Sequence, residues 1–298
     1  MTYKSLSLMK QLLLLLVFFI VGFGNAQTLH SLEPVQKHYA ELQKLNPGIN
    51  PDRAALDDLS FTPDQYNSVA LSYTLMTPAY LKSEQVAYLK TTVNFPANSS
   101  DQTRAELDFL LQWQEKRTPE QIHRTSKVLA PIGYWPHVEV QPDHPRYQEN
   151  VKHLLFEGRE ILGEQVTAAN YPATFKLLQG VTKDMRIMEF TVKYHLLRAR
   201  PYVLEPKLQP LAIMGSPSFA SGHTLWAYIH AFTWSELRPD KRQQFLDLAY
   251  EIGESREVMG IHYPSDEEAA RVLAHRMLGA MWNNPKFQKD LEVAKAEW

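Results

Sequence analysis

Cysteine is absent from this 298-residue chain. Without thiols, the protein cannot have a disulfide scaffold, a thiolate zinc site, an iron–sulfur cluster or a cysteine nucleophile. Its folding does not depend on disulfides, even in an oxidising compartment. The classes of protein and of site that rest on thiol chemistry are therefore excluded.

An excess of charge of either sign is also absent. The chain has 31 Lys and Arg residues against 33 Asp and Glu residues, which gives a formal net charge of −2. This balance provides no general field that would attract nucleic acid, so we expect no nucleic-acid partner. Glycine and proline are moderate, at 12 and 19 residues, so the chain is neither collagen-like nor broadly disordered. Its length is ample for a sizeable core.

Long apolar runs are absent beyond the first thirty residues. Lys4 and Lys10 precede an apolar run over residues 12–23, and the small residues Gly24 and Ala26 follow it. This order predicts a signal peptide over residues 1–26 with a cut after Ala26. A membrane anchor is the alternative, but a span needs about 20 apolar residues and this run is shorter. We expect a periplasmic or secreted protein with no membrane span in the mature chain.

Helical periodicity dominates the mature chain, which shows no internal repeat and no convincing series of strands. Four prolines between residues 131 and 145 predict a loop, which could mark a domain boundary. The amphipathic helices before that loop need partners for their apolar faces, which favours a single all-α helical bundle domain over residues 27–298. The helices predicted in the second half cover approximately residues 147–164, 172–178, 183–199, 222–237, 241–260 and 265–283.

Two cations stand seven residues apart near the end of one predicted helix. Lys193 and Arg200 would point the same way, because seven residues make almost two helical turns. The helix is apolar on several sides, which indicates burial, and two buried cations on one face need an anion between them. A solvated basic face that ends at Pro201 is the alternative, and it is favoured if the segment is taken alone.

A second segment opens an apolar helix with Ser221 and Gly222. Free N–H groups and the positive end of the helix dipole meet there, which is the geometry that binds phosphate or sulfate. Glycine lets an anion approach the backbone closely, and His223 in the first turn is able to donate a proton. An ordinary serine cap followed by a first-turn histidine explains the same residues.

Two further segments contain a cation and a possible imidazole–carboxylate pair. Arg256 follows Ser255 near the end of a predicted helix, where a cation also simply complements the helix dipole. His262 precedes a helix start at which Ser265 and Glu268 have capping-box spacing. Asp266 would lie in the first turn, where it could bond one nitrogen of His262 and raise the basicity of the other. Complementing the helix dipole is the alternative role for Asp266.

The ordered combination of these segments is far less probable by chance than any one of them. It reads Lys193-x6-Arg200-Pro201, then Ser221-Gly222-His223, then Ser255-Arg256-x5-His262-x3-Asp266. In this pattern the chain resembles the class A bacterial non-specific acid phosphatases, within the type 2 phosphatidic acid phosphatase superfamily. The likeness continues through residues 269–272 and through the C-terminal segments 284–287 and 295–298, whereas residues 27 to about 140 match less clearly.

The resemblance implies an all-α fold of the acid phosphatase and vanadium haloperoxidase type, and hydrolysis of small phosphate monoesters. His262 would be the nucleophile that forms a phosphohistidine, and Asp266 would hold its other ring nitrogen. His223 would protonate the leaving group and then activate water. The residues expected to bind the phosphate oxygens are Lys193, Arg200, Ser221, Gly222 and Arg256. We expect no metal and no other cofactor, because three fixed cations take the place of metal ions, and the family suggests a homo-oligomer.

One position departs from the family pattern, since Ala220 stands where a proline usually precedes Ser221. This departure bears on the rigidity of the loop and on substrate preference. Two other functions stay open: a vanadate-dependent haloperoxidase, because the same cationic cradle would bind vanadate, and a non-catalytic helical protein that binds an anion or a partner. For the phosphatase we expect an acidic optimum, because His262 must start neutral and His223 must start protonated.

Overall fold

The computed structural model of this protein describes residues 29–131, 159–163 and 165–298. Residues 33–298 form one compact unit. Residues 29–32, which have no regular secondary structure, are the described part of an N-terminal unit. The signal peptide predicted over residues 1–26 lies outside the described residues, as do most of the predicted loop 131–145 and most of the predicted helix 147–164. These three expectations stay predictions.

Helices account for the regular secondary structure of the described residues. The α-helices are α1 (Lys37–Leu42), α2 (Ser68–Tyr73), α3 (Ser83–Leu89), α4 (Asp101–Lys116), α5 (Pro119–His123), α6 (Arg159–Leu162), α7 (Pro172–Leu196), α8 (Pro201–Leu204), α9 (Gly222–Leu237), α10 (Arg242–Val258), α11 (Pro264–Trp282) and α12 (Pro285–Lys295). Short 3-10 helices lie at Pro51–Asp58, Pro63–Gln65 and Pro239–Lys241, and a π-helix lies at Arg124–Leu129. Between residues 29 and 298, the described parts contain an isolated bridge but no β-strand. The predicted all-α class is confirmed.

The central helix of the bundle is α9. All of its residues except Glu236 are buried, and it packs against α7, α10 and α11. Its sequence is apolar on every side, and Trp226 and Trp234 are among the largest fully buried side chains. This is the pattern of a helix surrounded by other helices. In the part of the chain that the structure describes, no helix is both long enough and apolar enough to cross a bilayer.

Helix α7 differs from the sequence-based prediction in its length and at its end. A single 25-residue helix covers the two predicted helices 172–178 and 183–199. It ends where Leu197 adopts a left-handed backbone with φ of 53°. The carbonyl of Leu197 then accepts the N–H of Phe61 at 2.8 Å. Arg200 therefore lies beyond the helix, and the prediction that Lys193 and Arg200 share one helix face is wrong.

The start of α11 also differs from its predicted capping pattern. The helix begins at Pro264, and the N–H of Tyr263 is accepted by the carboxylate of Asp266 at 3.1 Å. The predicted capping box of Ser265 and Glu268 does not form, because the side chain of Ser265 donates instead to Glu106 at 2.8 Å. Asp266 thus caps the helix as well as facing His262.

The C-terminal residues hold the beginning of α7. The carboxylate of Glu297 accepts the backbone N–H groups of Ala173 and Thr174, both at 2.8 Å. Trp298 stacks on Tyr171, with ring centroids 4.2 Å apart. The open N–H groups of the helix terminus are therefore satisfied by the chain's own C-terminus. These contacts anchor the helix whose last turn contains Lys193.

Candidate active site

Two cations converge on the loop that leads into α9. Lys193 donates from Nζ to the carbonyl oxygens of Pro217 and Ser218, at 2.8 and 3.1 Å. Arg200, in the extended segment after α7, donates from Nε to the carbonyl oxygen of Ser216 at 2.9 Å. The two cations therefore lie close together because both bind the same loop, and not because they share a helix face.

The ammonium group of Lys193 is held away from water, since the residue is only 1% exposed. Burial, and then repulsion from Arg200, lowers the pKa of Lys193 to about 7. The carboxylates that oppose this shift belong to Glu189, Asp266 and Glu267. An anion bound beside Lys193 would raise its pKa again, because an opposite charge favours the protonated form.

Both ring nitrogens of His262 have a defined partner. Nδ1 lies 2.9 Å from Oδ2 of Asp266, and Nε2 lies 2.9 Å from Nη1 of Arg200. Arginine only donates and an ionised carboxylate only accepts, so Nδ1 carries the proton and Nε2 carries the lone pair. Burial, and then the charge of Arg200, holds the pKa of His262 well below its ordinary value, although Asp266 opposes this. The result is a neutral imidazole whose unprotonated nitrogen faces a cation.

The carboxylate of Asp266 is fully buried and accepts several hydrogen bonds. Its donors besides His262 are Nη1 of Arg198 at 2.7 Å, Oγ of Ser218 at 2.5 Å and the N–H of Tyr263 at 3.1 Å. Burial alone would raise the pKa of Asp266. The charge of Arg198 and the bonds from His262 and Ser218 outweigh burial and hold this pKa below its usual range. Asp266 is therefore ionised at every pH at which the site would work.

The N-terminus of α9 is closely packed. Oγ of Ser221 accepts the N–H of Thr224, so the expected serine cap is present. At Gly222, an added Cβ would overlap the carboxylate of Glu189. Glu189 in turn accepts from Nη1 of Arg186 at 2.5 Å. The charged pair of Arg186 and Glu189, which was not predicted from the sequence, therefore lies at the start of this helix.

His223 and Arg256 influence each other near the same helix start. Nε2 of His223 lies 2.9 Å from the carbonyl oxygen of Ala130, and because a carbonyl only accepts, Nε2 carries a proton. Burial, and then the charge of Arg256, holds the pKa of His223 well below its ordinary value. Arg256 is fixed by two bonds to Oγ of Ser255, at 3.0 and 2.7 Å. The pKa values of His223 and His262 are thus both lowered, because both imidazoles are buried beside arginines, and are not moved in opposite directions.

A backbone hydrogen bond links two of the segments predicted for the site. The backbone N–H of Ser221 donates to the carbonyl oxygen of Asp266 at 3.2 Å, which links the start of α9 to the start of α11. Three residues of the site were not predicted from the sequence, namely Arg198, Ser218 and Glu189. Arg198 lies within the Lys193–Arg200 motif, and Ser218 lies just upstream of the Ala220 departure, but their partners are distant in sequence.

Within the described ranges 29–131, 159–163 and 165–298, no group of three or more His, Asp or Glu side chains could hold a metal ion. The expectation of catalysis without a metal stays a prediction.

Residues 173–290 match the family model of the PAP2 superfamily. Over 146 residues, the chain is 32% identical to the non-specific acid phosphatase of Providencia stuartii, which covers 47% of this chain and 58% of that protein. Over 144 residues, it is 27% identical to the non-specific acid phosphatase of Salmonella typhi, which covers 46% of this chain and 57% of that protein. The chain thus spans less than two thirds of the length of these relatives. The predicted resemblance is confirmed.

Among solved structures, a bacterial vanadium-dependent iodoperoxidase has a related fold. The two chains are 16% identical with a TM-score of 0.51, over 83% of this chain and 64% of the other. At this identity the likeness concerns the fold alone. The predicted fold type is confirmed.

Proposed function

Because residues 173–290 match the family model of the PAP2 superfamily, we propose that this protein is a phosphatase that hydrolyses phosphate monoesters through a phosphohistidine, without a metal ion. The observation that carries the proposal is the unprotonated Nε2 of His262, which Asp266 fixes from one side of the ring and which faces Arg200 on the other. A neutral imidazole nitrogen beside buried cations is a nucleophile placed where an anionic phosphoryl group is attracted.

The phosphoryl oxygens would be bound by three cations that are already fixed. Lys193, Arg200 and Arg256 are each at least 98% buried and hydrogen-bonded to backbone or hydroxyl oxygens. Groups that are fixed before the substrate binds need little reorganisation as charge develops on those oxygens. Ser221 and Gly222 add the N–H groups and the positive dipole end of α9.

The proposed reaction has two steps. In the first, the lone pair on Nε2 of His262 attacks phosphorus, the bond from phosphorus to the alcohol oxygen breaks, and His223 gives that oxygen a proton. In the second, His223 takes a proton from water, the water oxygen attacks phosphorus, and the phosphorus–nitrogen bond breaks to release phosphate.

The proton on His223 needs a source, because burial and Arg256 keep its pKa low. We infer that His223 acquires this proton with the substrate, whose two negative charges raise the pKa of a neighbouring imidazole. Substrate binding is then favoured on the acidic side of neutrality, which supports the expected acidic optimum.

We further propose that the chain is exported through residues 1–26 and acts in the periplasm or outside the cell on small phosphorylated molecules. The positive start, the apolar run 12–23 and the small residues before the cut support export. The balanced charge of the chain gives no reason to propose a nucleic-acid substrate. Self-association into a homo-oligomer is part of the same proposal, and the mass of the purified mature protein in solution tests it.

The direct test compares the wild type with two variants on a chromogenic phosphomonoester. His262→Ala is expected to lose measurable turnover, because it removes the attacking nitrogen. Asp266→Asn is expected to lower kcat by roughly 10⁴-fold, because an amide that donates to Nδ1 imposes the wrong tautomer. His195→Ala is the matched control, since His195 is an exposed histidine of the same chain, and it should retain wild-type kcat.

Two further measurements separate the parts of the proposal. Reaction samples quenched in alkali should carry a phosphoryl group on the peptide that contains His262. With a nitrophenyl phosphate, whose leaving group departs without a proton, this group should accumulate in His223→Ala, which lacks the base for the second step. Turnover should be unchanged by EDTA. Activity in His262→Ala would refute the nucleophile, and loss of wild-type activity with EDTA would refute catalysis without a metal.

Halide oxidation is the outcome that would replace this function. The same buried cations would bind vanadate, an anion with the same tetrahedral shape as phosphate. We expect phosphate release without iodide oxidation when the protein is assayed with vanadate and peroxide. The reverse result would assign a haloperoxidase.

A further inference from the structure

Arg198 is a buried cation that the proposed reaction does not use. Its side chain is fully buried, and the guanidinium carbon lies 3.7 Å from the ring centroid of Tyr263 and 4.9 Å from that of Phe95. Removing a guanidinium from water is costly unless the charge is paired and hydrogen-bonded. The position of Arg198 therefore depends on its partners.

Those partners form a chain of buried contacts that ends at His262. Nη1 of Arg198 donates to Oδ1 of Asp266 at 2.7 Å and to Oγ of Ser265 at 2.8 Å. Nη2 lies 3.4 Å from Oε2 of Glu106, and Ser265 donates to that same oxygen at 2.8 Å. The guanidinium thus lies between two carboxylates, only one of which contacts the imidazole.

The two carboxylates are in different electrostatic situations. Burial raises the pKa of Glu106 to about 7, although the charge of Arg198 opposes this. Asp266 is more deeply stabilised as an anion, since it also accepts from His262 and Ser218. Arg198 therefore acts mainly as the counterion of Asp266, and Glu106 holds the far side of the guanidinium.

We infer that Arg198 is a positioning residue that keeps Asp266 ionised and in place behind His262, and that Glu106 anchors it. This inference rests on the proposed function, in which Asp266 directs the lone pair of His262 towards the phosphate. Glu106 belongs to α4, which lies outside residues 173–290. The N-terminal part of the chain therefore contributes to the site through Glu106, although it carries no recognisable motif.

The test uses two variants of Arg198 and one of Glu106. Arg198→Met should lower kcat by about 10- to 100-fold, as expected when a group that orients a catalytic residue is lost. The inhibition constant of inorganic phosphate should change by less than about 3-fold, because Lys193, Arg200 and Arg256 remain. Arg198→Lys keeps the charge but not the fork, so it should recover part of kcat. Glu106→Gln should lower kcat less than Arg198→Met does.

A substitution at another buried arginine distinguishes an effect on the position of Asp266 from a general loss of stability. Arg271 is 4% exposed and pairs with Glu268 at 2.7 Å on α11. Arg271→Met should lower Tm but leave both kcat and the inhibition constant of phosphate near the wild-type values at temperatures well below Tm. The inference is wrong if Arg198→Met retains wild-type kcat, or if Arg198→Met and Arg271→Met change kcat alike at equal loss of Tm.

A spectroscopic measurement decides the inference independently of turnover. The His262–Asp266 pair should take up a proton at a higher pH in Arg198→Met than in the wild type, because the anion loses its counterion. The chemical shifts of the His262 ring, followed by NMR through a pH titration, report this. If Arg198→Met and the wild type titrate alike, the inference is overturned. If the titration shifts as expected but the wild type has no phosphatase activity, only the proposed function is refuted.

Discussion

At position 222, the space that a side chain would need is already taken by the carboxylate of Glu189. We predict that Gly222→Ala displaces the Glu189–Arg186 pair or the start of α9, because neither can yield without losing contacts. The expected loss in the free energy of unfolding is about 1–3 kcal/mol, and the affinity for phosphate should fall at least about 10-fold. Chemical denaturation and the inhibition constant of phosphate measure these effects.

Gly215→Ala is the matched control for this prediction. No atom lies within 4 Å of a Cβ built at Gly215, so alanine there should leave both quantities near their wild-type values. If Gly222→Ala also leaves the free energy of unfolding and the inhibition constant of phosphate near their wild-type values, the overlap at Gly222 is relieved at no cost and the prediction is wrong.

Lys193 gives the site a pH dependence of defined sign. Its pKa of about 7 is the result of burial and Arg200, against Glu189, Asp266 and Glu267. Below that pH the ammonium is charged, so anion affinity is higher, and affinity should fall as pH rises through about 7. Sulfate is the appropriate probe, because it stays a dianion from about pH 5 to about pH 9, and titration calorimetry measures its binding.

Replacing Lys193 with a residue that does not titrate in this range tests whether Lys193 causes the pH dependence. Arginine stays protonated throughout this range. In Lys193→Arg, the affinity for sulfate should therefore no longer fall as pH rises through about 7. Lys183→Arg, on the same helix, is the control, and its affinity for sulfate should fall with pH as in the wild type. The assignment fails if Lys193→Arg and the wild type show the same dependence on pH.

At the scale of elements, the end of α7 determines where two arginines point. Leu197 has φ of 53°, a conformation in which a β-branched side chain is strongly disfavoured. We predict that Leu197→Ile lowers the free energy of unfolding by about 1–2 kcal/mol and weakens phosphate binding, because Arg198 and Arg200 follow directly. The same change at Leu196, inside the helix, is the control and should cost less than half as much by denaturant unfolding.

The loop between α8 and α9 shows how hydrogen bonds fix a segment in which Ala220 stands where a proline was expected. The N–H of Ser218 donates to the carbonyl oxygen of Arg198 at 2.9 Å, and the N–H of Ser221 donates to that of Asp266 at 3.2 Å. Phe219 is fully buried, with its ring centroid 5.5 Å from that of Phe95. The rigidity of the loop therefore comes from contacts with distant segments.

Periodicity predicted the long helices better than their ends. α9 matches the predicted range 222–237, and α10 and α11 differ from prediction by one or two residues at each end. The end of α7 was missed because the left-handed turn at Leu197 is stabilised by a distant residue, Phe61. Local sequence patterns do not report such a contact.

At the scale of the whole molecule, two buried neutral histidines make folding sensitive to acid. The folded-state pKa values of His223 and His262 lie well below the ordinary value of 6.5. Below pH 6.5 the unfolded chain binds protons that the folded protein does not. These two histidines should therefore each lower the free energy of unfolding by about 1.4 kcal/mol for each pH unit below 6.5, until the folded-state pKa values are reached. Glu106 and Glu267 act in the opposite direction, because burial raises their pKa values in the folded protein.

Denaturant unfolding between pH 5 and pH 7 measures this dependence. The groups that face the two imidazoles are Asp266, Arg200, Lys193, Arg256 and Arg186. The double variant His223→Gln with His262→Gln should lose the contribution of the histidines and so be destabilised less by acid than the wild type, whereas His195→Gln, at an exposed position, should keep the wild-type dependence. A wild-type slope in the double variant would show that the acid sensitivity arises elsewhere.

The sequence by itself determined the all-α class, the long helices of the second half and the ordered motif residues from Lys193 to Asp266. These follow from local periodicity and from residue types that the chemistry of an anion site requires. Only the tertiary structure decided that a loop, and not a helix face, unites Lys193 with Arg200, and that Glu106, Arg198 and Ser218 support Asp266. The physical reason is that burial sets the strength of each charge interaction, and burial depends on segments that are far apart along the chain.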